Sequence, residues 1–110
     1  MYLAIIGSRS IKEIDFDAYI KQKPECVITG GAIGVDTLAE EWARRNNIRT
    51  IIIKPNYEKY KKYAPLKRNH EIVNECDEII AFWDGRSKGT YYTMQLAQKE
   101  EKKLTIVNIV

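Results

Sequence analysis

Five short apolar runs, separated by segments of helical periodicity, restrict this chain to one class of fold. The runs are Leu3–Ile6, Cys26–Thr29, Ile51–Ile53, Ile79–Phe82 and Leu104–Val110. They are rich in β-branched residues and continuous rather than alternating, which is the pattern of strands buried on both faces of a parallel sheet. Four helices are expected between them. Ile11–Lys21 comes first and is stopped by Pro24. Gly34–Asn46 is the clearest, because Val35, Leu38, Ala39, Trp42 and Ala43 recur at helical spacing and define one apolar face. Pro65–Glu75 carries proline in its first turn, with Leu66, Ile72 and Val73 inward. Gly89–Lys102 sets Tyr92, Thr93, Leu96 and Ala97 on one side. Strand–helix alternation of this kind predicts an α/β fold, a Rossmann-like three-layer sandwich around a mostly parallel five-stranded sheet. At 110 residues, 45% of them hydrophobic, the expectation is a single domain over residues 1–110.

Several classes of protein are disfavoured at once. There is no run of about 18 apolar residues, so no membrane span is expected. Met1–Ile6 is too short and too uncharged for a signal peptide and reads as the first strand, so the expected address is the cytoplasm. Cys26 and Cys76 stand far apart, neither in a Cys-x-x-Cys pair, and the chain has one histidine, His70. A metal site is therefore not expected, and both cysteines read as small buried hydrophobes in a reducing compartment.

Charge is unevenly spread. The net charge is +3, yet Arg44 to His70 holds nine Lys/Arg against the single acidic Glu58, and the rest holds nine basic and fourteen acidic residues. A basic middle on an otherwise acidic chain favours an anionic partner there. Within it, Lys54–Ala64 reads as one long connection in which Tyr57, Tyr60 and Tyr63 interleave with Lys59, Lys61 and Lys62. Aromatics among cations can stack bases and hold a single-stranded nucleic acid, or the tyrosines can simply pin the loop down.

The segments that follow the strands carry the chemistry. In open α/β sheets, ligands bind outside the carboxyl ends of the strands. Gly7-Ser8-Arg9 follows the first strand, and an arginine there can clamp a phosphate bidentately. Thr29-Gly30-Gly31-Ala32-Ile33-Gly34-Val35-Asp36 follows the second. Its glycines allow a sharp turn, and the backbone N–H groups of Gly30, Gly31, Ala32, Gly34 and Val35 can hold a phosphate at a helix start. The spacing is neither the dinucleotide fingerprint nor a Walker loop. Asp36 can cap the helix, favour its dipole or bond a ribose hydroxyl. Lys67-Arg68-Asn69 opens the third long helix, where positive charge is unfavourable unless an anion relieves it. Trp83-Asp84-Gly85-Arg86-Ser87-Lys88-Gly89-Thr90 follows the fourth strand. Ser87 or Thr90 can cap the next helix or bond a ligand oxygen, and Trp83 can stack a base or fill the core. All four segments fall on one edge of the sheet.

Gly7-Ser8-Arg9, Gly30-Gly31-Ala32-x-Gly34-Val35-Asp36, Arg68-Asn69 and Ala81-Phe82-Trp83-Asp84-Gly85 with Ser87-x-Gly89-Thr90 together resemble the SLOG superfamily, which includes DprA/Smf DNA-processing proteins and LOG nucleotide phosphoribohydrolases. The match is nearest to its YspA-like, cpYpsA-related branch, a family of unknown function. The resemblance implies a Rossmann-like fold and a nucleotide or nucleotide-derived ligand that is sensed or processed. In LOG enzymes the second motif, Pro-Gly-Gly-x-Gly-Thr, is followed closely by a glutamate. Here Gly89-Thr90 is followed by Tyr91-Tyr92-Thr93-Met94. That departure favours binding over catalysis, with Asp36 and Asp84 as the candidate carboxylates should the chain be a nucleotide N-glycosidic hydrolase. A DprA-like single-stranded nucleic-acid binder is the other alternative. The relatives also imply a homodimer paired through helices, with Trp42 a contact if it is not already core. No cofactor is expected beyond a nucleotide-like ligand.

Overall fold

Five strands, β1 (Tyr2–Gly7), β2 (Cys26–Thr29), β3 (Arg49–Ile52), β4 (Glu78–Trp83) and β5 (Lys103–Asn108), form one sheet in the order β3-β2-β1-β4-β5, every neighbouring pair parallel. The computed structural model describes residues 1–109, so Val110, the last residue of the fifth expected strand, lies outside the described residues. Four helices accompany the strands: α1 (Val35–Arg45), α2 (Tyr57–Tyr60), α3 (Ala64–Glu75) and α4 (Lys88–Lys99).

Side-chain alternation along the strands divides the core in two. Leu3, Ile5, Val27, Ile80 and Phe82 point to one face, where they meet Val35, Ala39, Trp42 and Ala43 of α1. Ala4, Ile6, Cys26, Ile28, Ile79 and Ala81 point to the other, against Ile72 and Val73 of α3 and Met94, Leu96 and Ala97 of α4. A core on each side of one parallel sheet is the three-layer α/β arrangement expected from the alternation of strands and helices. Both cysteines are free and buried, Cys76 with its thiol pKa pushed up mainly by burial. Among the described residues no helix is long and apolar enough to cross a membrane.

Three expectations need correction. Burial on both faces holds for β1, β2 and β4 but not for the edge strands β3 and β5, which expose most of their residues. Each edge strand has a neighbour on one side only, and Ile52 and Ile106 are left 39% exposed. Second, Ile11–Lys21 is not a helix. It forms a strap with a single 3₁₀ turn at Phe16–Ala18. At about 100° per residue, Ile11 and Ile14 would fall on one side of a helix and Phe16 and Ile20 on the opposite side, so no helix could bury all four. As a strap the segment packs all four against the same core. Phe16 meets Trp42 and Phe82 at ring-centroid distances of 5.6 and 5.4 Å, and the Trp42 indole donates to Asp17 Oδ1 at 3.0 Å. That contact settles Trp42 as core, only 5% exposed, and removes it as a dimer contact. Third, Lys54–Ala64 is not one long loop. Asn56 caps α2 by accepting the Lys59 N–H at 3.1 Å, and a 3₁₀ turn over Lys61–Tyr63 leads directly into α3.

The strand order places the site. The chain runs from β1 outward through β2 to β3, then returns to β4 and runs outward to β5 on the other side. The reversal lies between β1 and β4, where Gly7 sits opposite Phe82. A crevice opens at the carboxyl ends of strands at such a point.

Candidate ligand cleft

The crevice holds a cavity of about 490 Å³, within the range of small-molecule sites. Its floor is drawn tight by Gly7. A Cβ there would meet the Val35 side chain and stand 2.5 Å from the Phe82 carbonyl oxygen, so only glycine lets α1 lie this close to the sheet. Ser8 is fully buried beneath the cavity. Its N–H donates to the Phe82 carbonyl at 3.0 Å and its Oγ accepts the Asp84 N–H at 3.1 Å, which locks the ends of β1 and β4 together. Arg9 then emerges into the cavity, exposed, with no ion pair or side-chain hydrogen bond among the described residues.

The glycine-rich loop after β2 is braced from within. Asp36 Oδ2 accepts the N–H groups of Gly30 at 3.2 Å and Ala32 at 3.1 Å, and Thr29 Oγ1 accepts that of Gly31 at 3.3 Å. These three N–H groups, expected to cradle a phosphate, each have a partner within the loop. Gly34, at φ +83°, lies against the backbone of Ser8 and Arg9, and Val35 is core. No side chain caps the Gly34 end of α1, but Asp36 in its first turn sets a carboxyl group near the positive end of the dipole, with Ala32 and Asp36 on the cavity wall. Asp36 is only 6% exposed, and its carboxyl is pushed up to about 6, burial being the largest cause, with the two N–H donors and Arg68 opposing it.

α3 supplies the facing wall through Pro65, Leu66, Arg68, Asn69 and Ile72. Arg68 Nη1 donates to the Gly30 carbonyl at 2.6 Å and Nε to Asn69 Oδ1 at 2.9 Å, so the guanidinium ties α3 to the glycine loop. Burial pulls its pKa down, and the nearby Asp36 carboxylate works against that. Leu66, expected inward, is 39% exposed on the rim instead.

The β4–α4 turn closes the ring. Asp84 Oδ1 accepts the N–H groups of Arg86 and Ser87, both at 2.8 Å, and Oδ2 accepts the Ser10 hydroxyl at 2.6 Å. The Ser10 hydroxyl first, then these two N–H donors, hold the Asp84 carboxyl well below the usual carboxylate range. Ser87 caps α4, its Oγ accepting the Thr90 N–H at 3.3 Å. Ser87, Gly89, Thr90 and Thr93 face the cavity.

Of the residues anticipated from sequence, Gly7, Arg9, Ala32, Asp36, Arg68, Asn69, Asp84, Ser87, Gly89 and Thr90 meet at one cavity. Ser8, Gly30, Gly31, Gly34, Val35 and Gly85 do not border it, and a Cβ at Gly85 would meet nothing within 4 Å. Trp83 is not on the cavity wall. Its indole donates to the Ser87 carbonyl at 3.0 Å and its ring stacks on Tyr91. The sequence did not single out Ser10, Pro65, Ile6, Ile72 or Thr93 as lining. Ser10 was within reach, since it directly follows Arg9 on the same strand exit. The tyrosine–lysine segment leaves Tyr57 and Tyr63 each 58% exposed, but Lys59 and Lys67 lie over the Tyr60 ring and Lys62 over that of Tyr63, so the cations and rings already engage each other. Among the described residues no cluster of three metal-ligating side chains forms.

Taken together, two guanidinium groups, Arg9 and Arg68, border the cavity with the engaged carboxyl groups of Asp36 and Asp84 and an apolar floor of Ile6 and Ile72. That is chemistry for an anion joined to a less polar body.

Residues 4–60 of the chain match the family model described as YspA, cpYpsA-related SLOG family. The match covers β1, the strap, the glycine loop, α1 and α2; Arg68, Asn69 and the β4–α4 turn lie beyond it. The chain is also similar to the Gene 61 protein of Mycobacterium phage D29, with 38% identity over 79 residues, 66% of this chain. That similarity spans 63% of the phage protein's length.

Proposed function

The chain belongs to the YspA, cpYpsA-related SLOG family, and from that premise and the cleft we propose that it binds, as a sensor, a nucleotide or nucleotide-derived ligand at the β1–β4 crevice. Arg9 and Arg68 neutralise the phosphate, and Asn69 and Thr90 bond its oxygens or the sugar. The observation that carries this reading is Arg9: a guanidinium aimed into a 490 Å³ cleft with no partner of its own among the described residues.

Thermal unfolding with nucleoside mono-, di- and triphosphates, ADP-ribose, NAD and cyclic nucleotides tests it. A ligand at about 100 times its dissociation constant stabilises by ~2.7 kcal/mol. In a domain of this size that raises the midpoint by roughly 10 °C. Arg9→Ala is expected to weaken binding roughly tenfold to a hundredfold, the loss of a charge-assisted hydrogen bond. The unliganded midpoint should stay within a degree or two, because Arg9 supports nothing else. If none of these ligands moves the midpoint at millimolar concentration, the reading fails.

One observation favours N-glycosidic hydrolysis as a second reading. Asp36 lines the cleft with its carboxyl pushed up to about 6, a value suited to proton transfer near neutral pH. Its Oδ2 is engaged by two N–H groups, and Asp84 is bonded by three donors, which together support sensing over catalysis. Asp36→Asn separates the two: turnover by the parent that vanishes in the variant while binding persists makes the chain a hydrolase.

A further inference from the structure

A second groove, of about 270 Å³, adjoins the cleft at Ser87, the one residue that borders both. Trp83, Arg86, Lys88 and Tyr91 form the rest of it. The Trp83 and Tyr91 rings stack at 5.6 Å between centroids with 29° between planes, and the indole N–H is fixed to the Ser87 carbonyl. Tyr91 is 46% exposed, and the fold does not require it to be aromatic. The buried side of α4 is made by Thr93, Met94, Leu96 and Ala97 instead. Arg86 and Lys88 flank the ring pair, and neither side chain has an ion pair among the described residues. An oriented aromatic surface between two unpaired cations, open to solvent and bordering the cleft through Ser87, has the chemistry that holds a nucleobase by stacking and its phosphates by charge.

We propose that the Trp83–Tyr91 groove is the base-binding subsite of the nucleotide whose phosphate occupies the cleft, the sugar crossing over Ser87. This rests on the reading of the cleft given above and adds where the base lies. It also makes recognition bipartite. Ribose 5-phosphate, which has no base, engages only the cleft, and a nucleotide engages both.

Two readouts test it. The chain has two tryptophans, Trp42 buried in the core and Trp83 at the groove. Titration with AMP, GMP, CMP and UMP is expected to quench the Trp83 emission with at least one of them, and the quench should be gone in Trp83→Phe. Tyr91→Ala, a change on an exposed helix face, is expected to weaken nucleotide binding roughly tenfold or more, the value of one lost stacking partner. It should leave ribose 5-phosphate binding, read as a midpoint shift, as it was. Nucleotide binding with no quench, or with unchanged affinity in Tyr91→Ala, overturns the subsite and leaves the cleft standing. If neither nucleotides nor ribose 5-phosphate shift the midpoint, the cleft reading falls and this inference falls with it.

Discussion

Gly34→Ala should lower the unfolding midpoint by roughly 8–24 °C, a large effect for a single methyl group. Two costs coincide at this position. The backbone sits at φ +83°, which a non-glycine residue adopts only with about 1–3 kcal/mol of strain. A Cβ would also stand 2.6 Å from the Ser8 carbonyl oxygen, 2.7 Å from Arg9 Cα and 2.8 Å from the Arg9 carbonyl oxygen. All three are backbone atoms, so no side chain can swing aside. Nor can α1 retreat cheaply, because Val35 is seated on Gly7 one residue further on. Forced overpacking of this kind adds about 1–3 kcal/mol, so the total of about 2–6 kcal/mol is a large share of the stability of a small domain. Gly85→Ala is the control. It shares the positive φ, +81°, but its Cβ would meet nothing within 4 Å, so strain alone is expected and the midpoint should fall by only a few degrees. Far-ultraviolet circular dichroism melts of the two variants decide the matter. Equal midpoints would mean that the close approach of α1 to the end of β1 is not what fixes the loop.

The second large effect is a pH dependence with an unusual sign. Asp36 titrates at about 6 in the folded chain against an ordinary value of 3.8. The folded state therefore holds a proton that the unfolded state has released across that window, and stability rises as pH falls through it. Above pH 6 both states are ionised and the full penalty of the buried charge applies. Below pH 4 both are protonated and the penalty is gone. At 1.36 kcal/mol per pKa unit, the change is about 3 kcal/mol. Asp84 acts with the opposite sign and in a lower window. Its carboxyl is held below the usual range by Ser10 and the two N–H donors, so its contribution is present above the ordinary carboxylate pKa and drains away as pH falls below about 4. The midpoint of the parent chain should thus climb from pH 7 toward pH 4 and then drop. Asp36→Asn keeps an oxygen to accept the Gly30 and Ala32 N–H groups but carries no charge, so it should lose the climb and keep the drop. Parallel pH profiles for parent and variant would show that the Asp36 charge is not a buried one.

What could be read from the sequence was whatever depends on periodicity and on chain direction. α1 was legible because one apolar stripe runs its whole length, and the convergence of the four loops followed from strands that all point the same way. The strap was illegible to a helix-length window, since Ile11 and Phe16 bury in the same core only when the chain between them is not helical. α2 was hidden by its brevity, although Asn56 three residues before Lys59 was its capping signal. At the cleft, the sequence indicated which residues lie close together but not which of them pair with one another. Nothing in Gly30-Gly31-Ala32 tells that Asp36, four residues past Ala32, turns back to take two of their N–H groups. Trp83 was legible as an aromatic beside the site. The facing of its strand decided which side it took, away from the cleft and onto Tyr91.

The strap between β1 and β2 has a consequence for how such a chain can diverge. A helix in that place would have to keep its apolar stripe in phase, so gaining or losing one residue would rotate everything beyond it by about 100°. A strap anchored by Ile11, Ile14, Phe16 and Ile20 has no phase to keep. Residues can enter or leave between its anchors at little expense, since doubling a flexible loop adds only about 0.6 kcal/mol. A change of length between those anchors is therefore expected to cost this chain less than one within the glycine loop or α1.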